Sequence, residues 1–214
     1  PALSYWSRQR DFAVMAEFGA FSADTVDAVL DEWLEKGWAA GASNGIRWWT
    51  ARRDTLALQR LLRLCERIDR GEVPAAADSG FRGWVADIAG AHFTLARGDT
   101  SAAIRQLEAI RQWPITLYTY TLRLTRAQLL SATGKDMEAA ALLDQMSQLE
   151  LEPSPLDVVW ALERARVNER LGNHEKAIRD YSFVMDVWRA ADDILQPFVE
   201  EARTAVTRLA GEPQ

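Results

Sequence analysis

Gly41-Ala42-Ser43-Asn44-Gly45 fits the G-x-S-x-G spacing in which a serine is held on a sharp strand-to-helix turn to attack a carbonyl carbon. That chemistry needs a strand ahead of the serine. The preceding stretch, Asp31-Glu32-Trp33-Leu34-Glu35-Lys36, has a helical pattern, so the small residues are expected to form a turn between two helices. A strand before Gly41 would support a hydrolase using Ser43, and helix there would remove it. The histidines are His92 and His174 alone, and His174-Glu175 lacks the second histidine of a zinc-protease helix. Cys65 lies in the apolar run Leu61-Leu62-Arg63-Leu64 and is expected in the core. No cluster has metal-ligand spacing, Gly134-Lys135 stands outside any phosphate loop, and the signatures of a kinase catalytic centre are missing from the sequence. Trp48-Trp49 cannot form one stacking platform, because neighbours on a helix diverge by about 100°. One is expected in the core, and Trp84, Trp113, Trp160 and Trp188 likewise. The expectation is a chain with no catalytic residues, no metal and no cofactor.

Bulk properties agree with a folded chain. The 214 residues are 48% hydrophobic and 26% charged, with nine tryptophans and seven phenylalanines to bury. The net charge of −6 gives no general attraction for nucleic acid or an anionic membrane surface. One cysteine rules out an intrachain disulfide and fits a reducing, cytoplasmic compartment. An extracytoplasmic location would follow if a parent protein carried a membrane anchor. No apolar run approaches the ~18 residues of a membrane span. The chain begins at Pro1, so it is expected to be a fragment with a neighbouring domain or anchor beyond it. Arginine outnumbers lysine 22 to three. Genomic base composition is the simplest source of that bias, although arginine also favours bidentate pairing with carboxylates.

The elements that would position any site are helices. Gly98, Gly134 and Gly172 each end an apolar-periodic stretch and are followed by polar residues suited to capping the next helix: Asp99 and Thr100, Asp136, and Asn173. Ala91, Ala127 and Ala165 precede these glycines by seven positions. Ala103, Ala139 and Ala177 follow by five, with Leu107, Leu143 and Tyr181 four further on. Such a period marks stacked helical hairpins, with small residues where two helices approach and a large one filling the space beside them. An earlier copy starts at Ala51-Arg52-Arg53-Asp54-Thr55, with Arg53 in the glycine's place, Leu58 in the alanine's and Leu62 in that of Leu107. Gly71, Pro74 and Gly80 punctuate a loop over 69–79. Helices are expected near 4–17, 22–36, 40–52, 54–70, 80–97, 100–112, 116–133, 136–148, 155–171, 174–190 and 195–210. Ser154-Pro155 starts the ninth, and the last covers the final hairpin. No alternating apolar run bounded by hairpin turns occurs, so no sheet is expected. The division into domains is expected between 1–79, a divergent helical region or cap, and 80–214, the repeats with a capping helix.

Gly172-Asn173-His174-Glu175-Lys176-Ala177-Ile178-Arg179-Asp180-Tyr181 resembles the start of the second helix of a tetratricopeptide repeat, and Gly98–Leu107 and Gly134–Leu143 resemble it more loosely. The resemblance covers roughly residues 84–190. Trp160–Gly172 and Tyr181–Glu212 resemble the C-terminal repeat region of multidomain bacterial Ser/Thr protein kinases and related signalling proteins. Departures are Trp160, one place early, and the mid-helix pairs Gly90-Ala91, Arg126-Ala127 and Arg164-Ala165, two of which place a charge where leucine is usual.

The resemblance implies an all-α, right-handed solenoid of about 10–11 antiparallel helices. It also implies a non-catalytic role: a concave groove, lined by the first helices of the repeats, that takes a peptide or partner segment. Carried over by position, the groove residues are His92, Gln128, Arg166, Glu169 and Arg170, beside Ile88, Leu124 and Leu162. Arg166 and Arg170 share a helix face and could hold a carboxylate between them; alternatively Glu163 or Glu169 satisfies them. The expected partner is a protein or peptide, or another domain of the parent protein, with no nucleic acid and no membrane insertion. A competing reading is a regulatory or sensor domain that binds a small ligand or short peptide and controls a kinase or transcription effector. A spacer or homodimerisation arm is another.

Overall fold

A computed structural model describes residues 11–73, 82–110, 117–145 and 154–211. All the regular structure among them is helical. The elements are α1 (11–17), α2 (Ala23–Glu35), α3 (Ala39–Ala42), a 3₁₀ turn (Ser43–Gly45), α4 (Ile46–Ala51), α5 (Thr55–Asp69), α6 (Arg82–Ala96) and α7 (Thr100–Ala109). Then follow α8 (Leu117–Ala132), α9 (Asp136–Leu143), α10 (Pro155–Arg170), α11 (His174–Val187), a second 3₁₀ turn (Asp193–Leu195) and α12 (Gln196–Gly211). The helix expected over 40–52 is interrupted by the 3₁₀ turn at Ser43. Pro74, Gly80 and Trp113 lie outside the described residues. Among those described, no helix is long and apolar enough to cross a membrane.

The hairpins follow from their turns. At Gly98, Gly134 and Gly172 the backbone is left-handed, with φ of 94°, 79° and 75°. In each, the glycine N–H donates to a carbonyl three residues back, and the next N–H donates five residues back. That pair of bonds satisfies the last carbonyls of the helix and reverses the chain. Arg53 makes the same two bonds, to Thr50 O (3.0 Å) and, through Asp54 N, to Trp49 O (2.8 Å). Its φ of 55° is the one positive value among the described non-glycine residues. The sequence match of Arg53 to the turn glycines is therefore a match of backbone conformation. Gly19 and Gly37 end helices in the same way, and each stands 34 residues before its counterpart, Arg53 and Gly71. A side chain in this conformation crowds its own backbone, at a cost of about 1–2 kcal/mol. Arg53→Gly should therefore raise stability by about 1 kcal/mol, after allowance for the freer unfolded chain. A urea midpoint that stays put or falls would show that Arg53 is held there by something other than the turn.

The alanines sit where the hairpins close. Ala91, Ala127 and Ala165 are buried, as are Ala103, Ala139 and Ala177 on the facing helices, with Leu107, Leu143 and Tyr181 beside them. These residues pack α6 on α7, α8 on α9 and α10 on α11. Trp160 is fully buried and its Nε1 donates to Leu143 O at 2.9 Å, tying α10 to the end of α9. Ser154 caps α10 in a reciprocal arrangement with Asp157, and Pro155 follows at the first helical position. Asp99 caps α7 by accepting from Ala102 N. Asp136 does not cap α9 as its position suggested: Lys135 occupies the cap, and Asp136 lies one residue inside the helix.

The chain forms two compact units, Pro1–Gln112 and Trp113–Gln214. The sequence placed the division after residue 79. The hairpin α6–α7 falls in the first unit because α6 packs on α4 and α5. In the first unit Phe12, Phe21, Trp33 and Trp38 form a chain of edge-on and tilted ring contacts. In the second, α12 packs on α11 through Val199, Ala202 and a Trp188–Phe198 ring contact, while Arg203 and Thr207 face outward.

Candidate functional site

The G-x-S-x-G segment is a packing device. Helix α2 precedes it, with no strand. Ser43 is buried and its Oγ donates to Ala40 O at 2.7 Å, inside its own turn. A Cβ on Gly41 would fall 2.2 Å from the Trp38 ring, and one on Gly45 would fall 2.7 Å from the Leu30 side chain. The glycines are therefore explained by the close approach of those two side chains, and the geometry of a nucleophile turn is not formed. Cys65 is buried in α5 as expected. Of the tryptophan pair, Trp49 is buried, while Trp48 is half-buried, donates to Asp27 Oδ1 at 2.8 Å and lies beneath the Arg52 guanidinium.

His92 is not a groove residue. It is buried in the first unit, with Nδ1 2.9 Å from Thr50 Oγ1. The Thr50 hydroxyl already donates to Ile46 O at 2.7 Å, so it accepts from His92, which fixes the proton on Nδ1. Burial, with a smaller effect of the Arg47 guanidinium, pushes the imidazole down to about 3. Its position on the helix matched the family's groove, but the packing of α6 on α4 covers it.

The other four expected residues lie in the second unit, and three of them line one open cleft of about 540 Å³. Arg166, Glu169 and Arg170 on α10 form one wall. Pro197, Glu200, Glu201, Thr204, Ala205 and Arg208 on α12 form the other, and Tyr181 of α11 also lines it. Arg166 does not share a carboxylate with Arg170. Its Nε and Nη2 both donate to Glu201 at 2.6 Å, across the cleft. Arg170 turns the opposite way, to Asp136 at 3.0–3.2 Å and to Ser131. Glu169 accepts from Tyr181 Oη at 2.8 Å and from Arg208 Nη2. Glu163, offered by the sequence as a partner for the arginines, stands 3.8 Å from Arg166 and takes Gln128 Nε2 at 3.4 Å. Gln128 therefore belongs to the α8–α10 contact outside this cleft.

The charges respond accordingly. The side-chain bond to Glu201 holds the Arg166 guanidinium above its usual range, and the bond to Asp136 does the same for Arg170. The Arg170 contact holds the Asp136 carboxyl low. Burial, then the bond to Glu169, pushes the Tyr181 phenol up. The cleft therefore presents guanidiniums held in their charged form and a neutral phenol fixed as a donor. Such groups can recognise polar and charged parts of a ligand. Among the described residues no group of three or more His, Cys, Asp or Glu side chains could hold a metal ion.

Asp136, Tyr181, Glu201 and Arg208 were missed as members of this surface. A signal was present: Asp136/Arg170, Arg166/Glu201 and Glu169/Arg208 are opposite charges 34, 35 and 39 residues apart, about one repeat. Comparison with known proteins adds no identification, since no family model, no curated protein and no solved structure matches the chain.

Proposed function

We propose that this chain is a non-catalytic protein-interaction module of the tetratricopeptide type, which binds an extended segment of a partner, or of its own parent protein, in the cleft between α10 and α12. The observation that carries the reading is the set of polar links one repeat apart. Gln128–Glu163 and Asp136–Arg170 join the α8–α9 hairpin to α10, and Arg166–Glu201 and Glu169–Arg208 join α10 to α12. Links recurring at 34 to 39 residues are what successive stacked hairpins produce. The 34-residue spacing of Gly19 to Arg53 and of Gly37 to Gly71 supports the same pattern in the first unit. On this reading α12 stands where the first helix of a further repeat would stand, and its polar outer face ends the stack. A cleft open along its length suits a chain segment better than an enclosed small molecule. The resemblance to the repeat region of bacterial kinases supports a role within a larger signalling protein.

Alanine variants of Arg166 or Glu169 would test the internal ion pairs as much as the cleft, because each leaves a partner charge behind. Thr204 lines the cleft, is exposed and takes no part in those ion pairs. A photo-crosslinking residue at Thr204 should capture a discrete polypeptide from the source cells that the same residue at exposed Met137 does not. Thr204→Trp should weaken retention of that polypeptide by at least about tenfold with helicity unchanged. Identical captures from both positions would sink the cleft reading.

A further inference from the structure

We infer that α12 is a hinged wall of the second unit, anchored along α11 and latched to α10 by the Arg166–Glu201 and Glu169–Arg208 ion pairs, so that ionic strength sets the width of the cleft between them. The inference goes beyond the proposed binding role and concerns the chain with no ligand present.

Helix α10 meets its neighbours in three different ways. Against α9 it is fixed by the fully buried Trp160, whose Nε1 donates to Leu143 O at 2.9 Å. Against α11 it closes through the buried Ala165 and Ala177, and through Arg164, which donates twice to the buried Asp180 carboxylate. Close-packed contacts of that kind hold one geometry. Towards α12 it faces an open cleft of about 540 Å³. Apart from Pro197 and Ala205, the α10 and α12 residues on its walls are polar or charged. Widening the cleft therefore exposes little apolar surface and meets little hydrophobic resistance.

Guanidinium–carboxylate pairs cross this gap. Arg166 donates through Nε and Nη2 to Glu201, both at 2.6 Å. Arg208 donates to Glu169, which Tyr181 Oη also holds at 2.8 Å. The four charged side chains are between 25% and 47% exposed. Pairs that water reaches are screened by salt and each contributes modestly.

The apolar anchor of α12 faces α11 instead. Val199, Ala202 and Leu209 are buried at helical spacing, and Trp188 and Phe198 meet edge-on at 6.2 Å. Rotation about this stripe carries Glu201 and Arg208 away from α10 while the α11 contact is kept, and the 3₁₀ turn Asp193–Leu195 is the connection that absorbs the change.

The test is the distance between spin labels at two exposed positions of the second unit, Met137→Cys on α9 and Thr207→Cys on α12, in the whole chain carrying Cys65→Ala. From about 0.01 M to about 1 M potassium chloride the screening length falls from about 30 Å to about 3 Å. Over that range a second component of the distance distribution should rise at least about threefold. Glu201→Gln with Arg208→Gln should show the high-salt distribution already at low salt. Glu200→Gln with Arg203→Gln removes the same kinds of charge from a pair confined to α12, and should leave the original distribution and its salt response in place. A distribution unmoved by salt and by the first pair of substitutions would overturn the latch. So would the same change from both pairs, since that marks a general weakening of α12. The labels report with no ligand present, so either result leaves the binding role to be decided by crosslinking at Thr204.

Discussion

Asp180→Ala should destabilise the second unit by about 3 kcal/mol, several times the cost of cutting a surface ion pair. Asp180 lies on α11 with its side chain 6% exposed, and Arg164 of α10 donates to it through Nε at 2.7 Å and Nη2 at 2.6 Å. Removing the carboxylate leaves a partly buried guanidinium facing an apolar helix contact beside Ala165 and Ala177. The pair stands where the sequence pattern showed a charge in place of leucine, so a direct comparison is available. Arg164→Leu combined with Asp180→Leu should recover most of the loss and could exceed the wild type, because well-packed apolar residues often equal a buried ion pair. A double-mutant cycle read by urea unfolding decides the matter. If Asp180→Ala costs less than about 1 kcal/mol, the pair is a solvated surface contact and does not clamp α10 to α11.

The second large effect is one of pH. His92 in the folded first unit is held down to about 3, against an ordinary value of 6.5. The unfolded chain therefore binds a proton between these values and the folded chain does not. Stability from this group is complete above pH 6.5 and falls as the pH drops towards 3, with a slope approaching about 1.4 kcal/mol per pH unit. Between pH 6 and pH 4 the loss is about 2–3 kcal/mol. Carboxylates add an acid-labile contribution of their own, so the comparison is with His92→Gln, which has no proton to gain in that window. The wild type should lose its excess of stability over the variant across the window. Parallel stability curves for the two proteins would mean that water or a rearrangement relieves the buried imidazolium.

The hairpins were legible in the sequence because their causes are local. A glycine that must be left-handed, a capping side chain and small residues at fixed offsets act within a few residues, and they recur at Gly98, Gly134 and Gly172. Arg53 was found by the same logic, even though an arginine is a poor choice for that conformation. The 34-residue spacing of Gly19 and Gly37 to Arg53 and Gly71 was not seen, since one member of the first pair is not glycine. Of the residues expected in a groove, Arg166, Glu169 and Arg170 line one cleft. Their partners were not foreseen, because Glu201, Asp136 and Arg208 come from helices a full repeat away, and a single helix face does not say which neighbour will meet it.

What the sequence by itself determined was therefore the helical class, the turns that pair the helices, and the alanines and leucines that close each pair. These depend on backbone conformation and side-chain size at short range. What only the tertiary structure decided was the environment of each polar side chain. His92, assigned to a groove by position, is buried because α6 packs on α4. Ser43, spaced like a nucleophile, is consumed by Ala40 O under the close approach of Trp38 and Leu30 to its flanking glycines. Glu163, a neighbour of Arg166 in sequence, is left with long contacts because Glu201 arrives from α12 with better geometry. Burial and charge pairing are set by which helices meet, and that is a long-range property of the packed chain.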